Sequence, residues 1–207
     1  MTSSPEHRIE AVEAPPRPGL RERKKLRTRT TIREVALRLF EQQGYAATTV
    51  EQIADAAEVS PSTFFRYFPT KDEVILQDDL DAFLLEAFHA QPPELSAVTA
   101  IRAAIGQVRS RMGEAAWQTE RARHQLILAV PELRARLIDE SMRTVAMLAE
   151  AIAARAGRDG DDLEVRTVAG AIFGVALASM LHAATADGDY LAQVDAGLAQ
   201  LERGLRL

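Results

Sequence analysis

Between Thr49 and Thr70 the chain carries the signals of two very short helices placed back to back, and few architectures accept that arrangement. Thr49 is a helix-capping residue, and Gln52, three positions on, completes a capping box. Val50, Ile53, Ala54 and Ala57 then give one apolar side. Glu58 and Val59 make a turn. Ser60 is a second cap, followed by Pro61 at the first helical position, where a missing N–H costs nothing. Phe64 and Phe68, four apart, anchor this second segment, and Pro69 ends it. The spacing predicts helices over 50–57 and 61–67 joined by a tight turn, the geometry of a helix-turn-helix.

Such a pair reads base edges only if the second helix offers small or polar groups and no bulky acids. Ser60, Ser62, Thr63, Arg66 and Tyr67 fill those positions, and no carboxylate occurs from Val59 to Thr70 in a chain with 30 acids. The net charge of −5 hides an asymmetry. Residues 21–71 hold ten Lys/Arg against six Asp/Glu and all three lysines, whereas 72–207 carries a net −8. A small basic module on an acidic body fits a nucleic-acid contact region attached to a unit with another task.

Residues 1–20, with Pro5, Pro15, Pro16, Pro18 and Gly19, are expected to be a disordered tail without an apolar core of a signal peptide. From Arg21 an apolar stripe of Ile32, Val35, Ala36, Leu39 and Phe40 predicts a helix that stops at Gly44. Thr70, with Glu73 completing another box, predicts a fourth helix running unbroken from Lys71 to about His89, ended by Pro92 and Pro93. Such a rod of roughly nineteen residues spans about 28 Å. Further helices are expected near 96–113, 115–129, 132–156, 162–185 and 189–205. No convincing alternating strand occurs, so the expected class is all-α. The expected units are a tail at 1–20, a helix-turn-helix domain at 21–70 and a body at 71–207. The longest apolar run, Val168–Leu181, is short of a bilayer span and predicts a buried helix.

The stretch Thr31–Lys71 resembles the N-terminal domain of TetR-type transcriptional regulators. The matching elements are the Ile32-to-Phe40 stripe, Gly44-Tyr45, Thr48-Thr49-Val50, Ile53-Ala54, Ala57, Val59-Ser60, Thr63-Phe64, Tyr67-Phe68 and Lys71. Glu58 departs from the pattern, standing where the family usually has Gly, and a Glu resists positive φ. The resemblance implies an Ω-shaped all-α homodimer in which three helices read a palindromic double-stranded operator. A six-helix body would then bind a small effector and dimerise. By position it implies base contacts from Pro61, Ser62, Thr63 and Arg66. It implies phosphate contacts from Thr48, Thr49, Ser60, Phe65, Tyr67 and Lys71, with Arg27 and Arg29 of the basic cluster in the minor groove or on phosphate.

With no Cys, disulfides, thiolate zinc sites and thiol nucleophiles are excluded. The four histidines have no metal-ligand spacing, and no phosphate-loop, dinucleotide or nucleophile-elbow motif occurs. Neither an enzyme nor a metal or cofactor is expected. Phe88, Trp117, His124, Met147 and Phe173 are the candidates to line an effector cavity, since Met and aromatic side chains suit adaptable apolar pockets. Ile172 and Ala176 on the penultimate helix, with Val194, Leu198 and Leu201 on the last, are the candidates for a four-helix dimer seam. The expected function is a cytoplasmic repressor released from DNA by an apolar or amphipathic effector. A constitutive DNA-binding protein and an all-α small-molecule-binding protein remain as alternatives.

Overall fold

The computed structural model describes residues 19–77, 79–183 and 189–204. Most of the expected tail lies outside them. Among the described residues there are ten helices and no strand. Helix α1 (Leu20–Gln43), α2 (Val50–Ala56) and α3 (Pro61–Tyr67) form the N-terminal unit, followed by the single turn α4 (Glu73–Leu76). The body comprises α5 (Asp79–His89), α6 (Ala97–Arg111), α7 (Glu114–Ala129), α8 (Pro131–Ala156), α9 (Leu163–Ala183) and α10 (Tyr190–Arg203).

Local chemistry sets most of these boundaries. Thr49 Oγ1 accepts from the Gln52 N–H at 3.2 Å while Gln52 Oε1 accepts from the Thr49 N–H at 2.9 Å, so the expected capping box is formed. Ser60 Oγ accepts from the Thr63 N–H at 3.1 Å and starts α3. Ser96 and Asp189 cap α6 and α10 in the same way. Gly157 ends α8 in the left-handed conformation (φ 62°), open to Gly without steric cost.

The expected unbroken fourth helix is two. At Gln77 the backbone is extended (φ −67°, ψ 121°), so α4 stops there and α5 starts afresh at Asp79. No Gly or Pro causes this. Arg33, on α1, donates from Nε to the Val74 carbonyl at 3.1 Å and from Nη2 to the Gln77 carbonyl at 2.8 Å. These groups take over the end carbonyls of α4, which have no partner inside the helix. A stiff rod from Lys71 to His89 is therefore absent.

Two apolar cores result. One joins α1–α4, with Ile32, Ile53, Phe64, Phe68, Val74 and Ile75 fully buried, to Ile127 and Leu133 at the α7–α8 corner. Helix α4 thus belongs to the core of the N-terminal unit rather than to the body's. The other core is built from α5, α6, α8, α9 and α10. There α9 and α10 approach closely: a Cβ on Gly197 would lie 2.5 Å from Val175 Cγ1.

Two readings of α9 and α10 change. Val194 and Leu198 are buried in the chain's own core with Ile172, and Leu201 and Ala176 pack half-buried against it. The apolar stripe of α10 covers α6 and α9, so Ile172, Val194 and Leu198 serve the chain's own core, while Ala176 and Leu201 keep part of their surface exposed. Helix α9, at 21 residues, falls within the expected 162–185 but is less covered than the expected buried helix, with 28% of its most apolar stretch buried. By length and composition alone it could cross a membrane, but it is packed here between α8 and α10.

Candidate DNA interface and effector cavity

Helix α3 turns Phe64 and Phe68 into the core and leaves Ser60, Pro61, Ser62, Phe65 and Arg66 exposed. Thr63 and Tyr67 are half-buried, and the Arg66 guanidinium lies 5.5 Å from the Tyr67 ring centre. Ser60 Oγ lies 2.9 Å from Ser62 Oγ and 3.0 Å from Thr63 Oγ1, a hydroxyl cluster at the helix start. Thr49, at the start of α2, is also exposed. Helix α1 carries exposed Arg23, Lys24 and Arg27 along one side of a groove whose other side is Ala57, Glu58 and Val59. Small hydroxyls and cations on one acid-poor face can bind base edges and phosphate.

Three residues expected at the DNA bond to the protein itself, Thr48 buried and Arg29 and Lys71 half-buried. Thr48 is 1% exposed, and its hydroxyl donates to the Gly44 carbonyl at 2.8 Å, so its side chain braces the loop before α2. Arg29 donates to Gln77 Oε1 at 2.6 Å and stacks on Phe68, 4.8 Å from the ring centre. Lys71 Nζ donates to the carbonyls of Tyr45 (2.9 Å) and Thr48 (3.0 Å) over the Tyr45 ring. Each is drawn inward by an acceptor or ring that tertiary folding brings within reach.

Glu58 adopts φ 54°, so the turn between α2 and α3 keeps a left-handed residue without a glycine. A side chain there costs about 1–2 kcal/mol, of which a glycine returns part through its own entropy, about 0.5–1 kcal/mol. Glu58→Gly is therefore expected to raise the thermal midpoint by about 2–4 °C, as measured by calorimetry. An unchanged or lowered midpoint would show that the Glu58 side chain contributes contacts that outweigh the strain.

Below the interface, Asp72 joins both halves. The Tyr45 hydroxyl donates to it, and Arg136 of α8 donates to it at 2.5 Å. Burial acts to raise the Asp72 pKa, but the hydrogen bonds from Tyr45 and Arg136 and the Arg136 charge outweigh it and hold the carboxyl below its usual value. The Tyr45 phenol is pushed up, first by burial and then by its bond to Asp72.

In the body a cavity of about 160 Å3 lies among α4, α5, α6, α7, α8, α9 and α10. Phe88, His124, Met147 and Phe173, all expected there, line it. Trp117 does not. It lines an adjoining space of about 330 Å3 that shares His124 and Tyr190 with the first. His124 and Tyr190 meet edge to face with ring centres 4.8 Å apart. Ile172, Ala176 and Val194, expected in the dimer seam, also line the main cavity. The sequence reading missed Arg33 and Arg123, which are 8% and 3% exposed. The signal was present: Arg123 stands four residues before buried Ile127, and Arg33 follows buried Ile32. No group of acids and histidines among the described residues could hold a metal ion.

Comparison with known proteins agrees with this arrangement. Residues 32–77 match the family model described as bacterial regulatory proteins, tetR family. Residues 95–206, more than half the chain, match the model of the MftR C-terminal domain. The HTH-type transcriptional regulator TcmR of Streptomyces glaucescens is 42% identical over 152 residues, covering 70% of this chain and 67% of that protein. Among solved structures, the fatty acid degradation regulator FadR of Bacillus halodurans has a TM-score of 0.58 at 22% identity, covering 86% of this chain and 96% of that one. The FadR repressor of Thermus thermophilus, solved with lauroyl-CoA, has a TM-score of 0.52 at 23% identity over 86% and 95% of the two chains. At these identities the structures show a shared fold.

Proposed function

The chain belongs to the TetR family of DNA-binding transcriptional regulators, and from that premise we propose that it is a homodimeric repressor released from a palindromic operator by a small apolar effector. The observation that carries the reading is the apolar cavity whose wall includes Leu76, the last residue of α4. A molecule lodged there touches the segment that packs into the core of the DNA-binding unit. The acid-poor face of α3 supplies the reader. Ile138 and Met142 on α8 and Leu163 and Leu181 on α9 are exposed large apolar side chains that a second protomer would cover. These four replace the buried α10 stripe as the dimer candidates.

Selection of bound fragments from a random DNA pool tests the reading. The expected result is a palindrome with half-sites about one helical turn, or a few turns, apart. Ser62 and Arg66 sit four apart on the exposed face of α3, so Ser62→Ala and Arg66→Ala are expected to relax the preference at particular base positions by about 1–3 kcal/mol. Arg27→Ala, which removes a charge aimed at the backbone, is expected to weaken all sequences about equally. Recovery of no enriched sequence would overturn the reading. A palindrome whose binding responds to no small molecule would leave a constitutive DNA-binding protein.

A further inference from the structure

We propose that Arg123 is the positioning residue through which an effector acts on the DNA-binding half, and that the effector is a compact apolar molecule carrying one neutral hydrogen-bond acceptor. This rests on the reading of the cavity as the effector site.

Arg123 sits on α7 and is 3% exposed, yet its guanidinium faces in three directions. Nη1 donates to the carbonyl of Ile75 at 3.0 Å, and Nε donates to Glu120 Oε2 at 2.7 Å. Nη2 lies 3.2 Å from His124 Nε2, which accepts, because an arginine can only donate. Arg123 and His124 both line the cavity beside Leu76. The Ile75 carbonyl is one of the end carbonyls of α4. Its neighbours at Val74 and Gln77 are taken by Arg33 of the DNA-binding unit. The end of α4 is thus a socket gripped from one side by α1 and from the other by a residue of the effector cavity.

A ligand shifts an equilibrium only by its difference in affinity for the two states. A pure hydrocarbon fills the apolar part of the cavity whether or not Arg123 holds Ile75, so it shifts little. An acceptor placed at Arg123 competes with the Ile75 carbonyl for the same guanidinium. It therefore binds the state in which α7 has let go of α4 more tightly than the state in which it has not. Glu120, 2.7 Å from Nε, already balances the arginine's charge, so a neutral carbonyl suits the position better than an anion. The volume of about 160 Å3 is close to that of an engineered cavity of about 150 Å3 that binds benzene. A single ring with a short substituent fits it.

Acetophenone and ethylbenzene have nearly the same shape and differ in the carbonyl, so they are the probes. Binding of each to the full chain is followed by calorimetry, and affinity for the selected DNA by fluorescence anisotropy. Both are expected to bind. Acetophenone at saturation is expected to weaken DNA binding about tenfold and ethylbenzene less than about twofold. The selected DNA should weaken acetophenone binding by the same factor, as linkage requires. In Arg123→Met, which keeps an apolar side chain of similar length, the ratio of DNA affinities with and without acetophenone is expected to fall to that seen with ethylbenzene. A variant that only packs badly would lower both affinities and leave this ratio intact. Equal release by the two probes overturns the role of Arg123 and leaves the effector reading standing. Persistence of the acetophenone effect in Arg123→Met does the same. Failure of both probes to bind, or binding of both with no effect on DNA, overturns the cavity as an effector site together with the proposal.

Discussion

Between 50 and 200 mM salt, binding to a selected DNA site is expected to weaken by roughly 10^3- to 10^5-fold. The reason is the distribution of cations. Segment 21–71 has a net charge of +4, and α1 and α3 leave Arg21, Arg23, Lys24, Lys25, Arg27, Arg38 and Arg66 exposed. If about four of these reach phosphate in each protomer, a dimer releases counterions from about eight contacts, and the log–log slope is roughly −7. The inward turn of Arg29, Arg33 and Lys71 sets this value. All ten basic residues of the segment on phosphate would give a far steeper dependence. A titration of affinity against salt checks it, and a slope shallower than about −2 would show that the basic face of α1 does not lie along the DNA backbone.

The parts of the fold legible in the sequence are those fixed within a few residues of themselves. The Thr49–Gln52 box and the Ser60 cap form as their spacing requires, because each bond closes inside one helical turn. The α1 stripe is legible because Ile32, Val35, Ala36 and Phe40 repeat at the helical period and are all buried. The cavity was partly legible: four of the five candidates line it, since long apolar and aromatic side chains on the helices of a small bundle meet at its centre.

What was hidden depends on partners distant in sequence. Nothing near Gln77 announces a helix break, and the residues that impose it, Arg29 and Arg33, lie more than forty positions earlier. The spacing of Arg123 from Ile127 marks only its side of α7, and the fold alone places the Ile75 carbonyl against it. The α10 stripe was visible, but periodicity cannot tell whether an apolar face meets its own chain or a second copy. Here α6 and α9 cover it. These misplacements bear on signalling. With α4 and α5 separated at Gln77, the proposed effector cannot act by tilting one long rod, and the contacts that link its cavity to the DNA-binding unit are those of α4 and of the α7–α8 corner.

Because α4 shares its core with α3, Phe64→Ala is expected to damage the DNA-binding unit and reach beyond it. Phe64 has no exposed surface and packs against Phe68, with ring centres 5.9 Å apart. Truncation removes buried apolar surface and leaves a hole. Helix α3, seven residues between Pro61 and Tyr67, is pinned at its start by Ser60 and cannot slide inward to close it without moving the reading face. The expected cost is about 3–5 kcal/mol, and DNA binding should be lost outright. The effect should not stop at the unit boundary, because the same core includes Val74, Ile75, Ile127 and Leu133. The α7–α8 corner should loosen with it, while the core of α5, α6, α8, α9 and α10, which does not contain Phe64, holds. Hydrogen exchange checks both halves of the statement. Faster exchange is expected in α1–α4 and around Ile127 and Leu133, with protection retained at Ile152, Ala169 and Leu198. Uniform loss of protection would show that the two cores melt as one. Loss confined to α1–α3 would show that α4 and the α7–α8 corner draw their stability from the body, and that the path from cavity to DNA is weaker than the shared core implies.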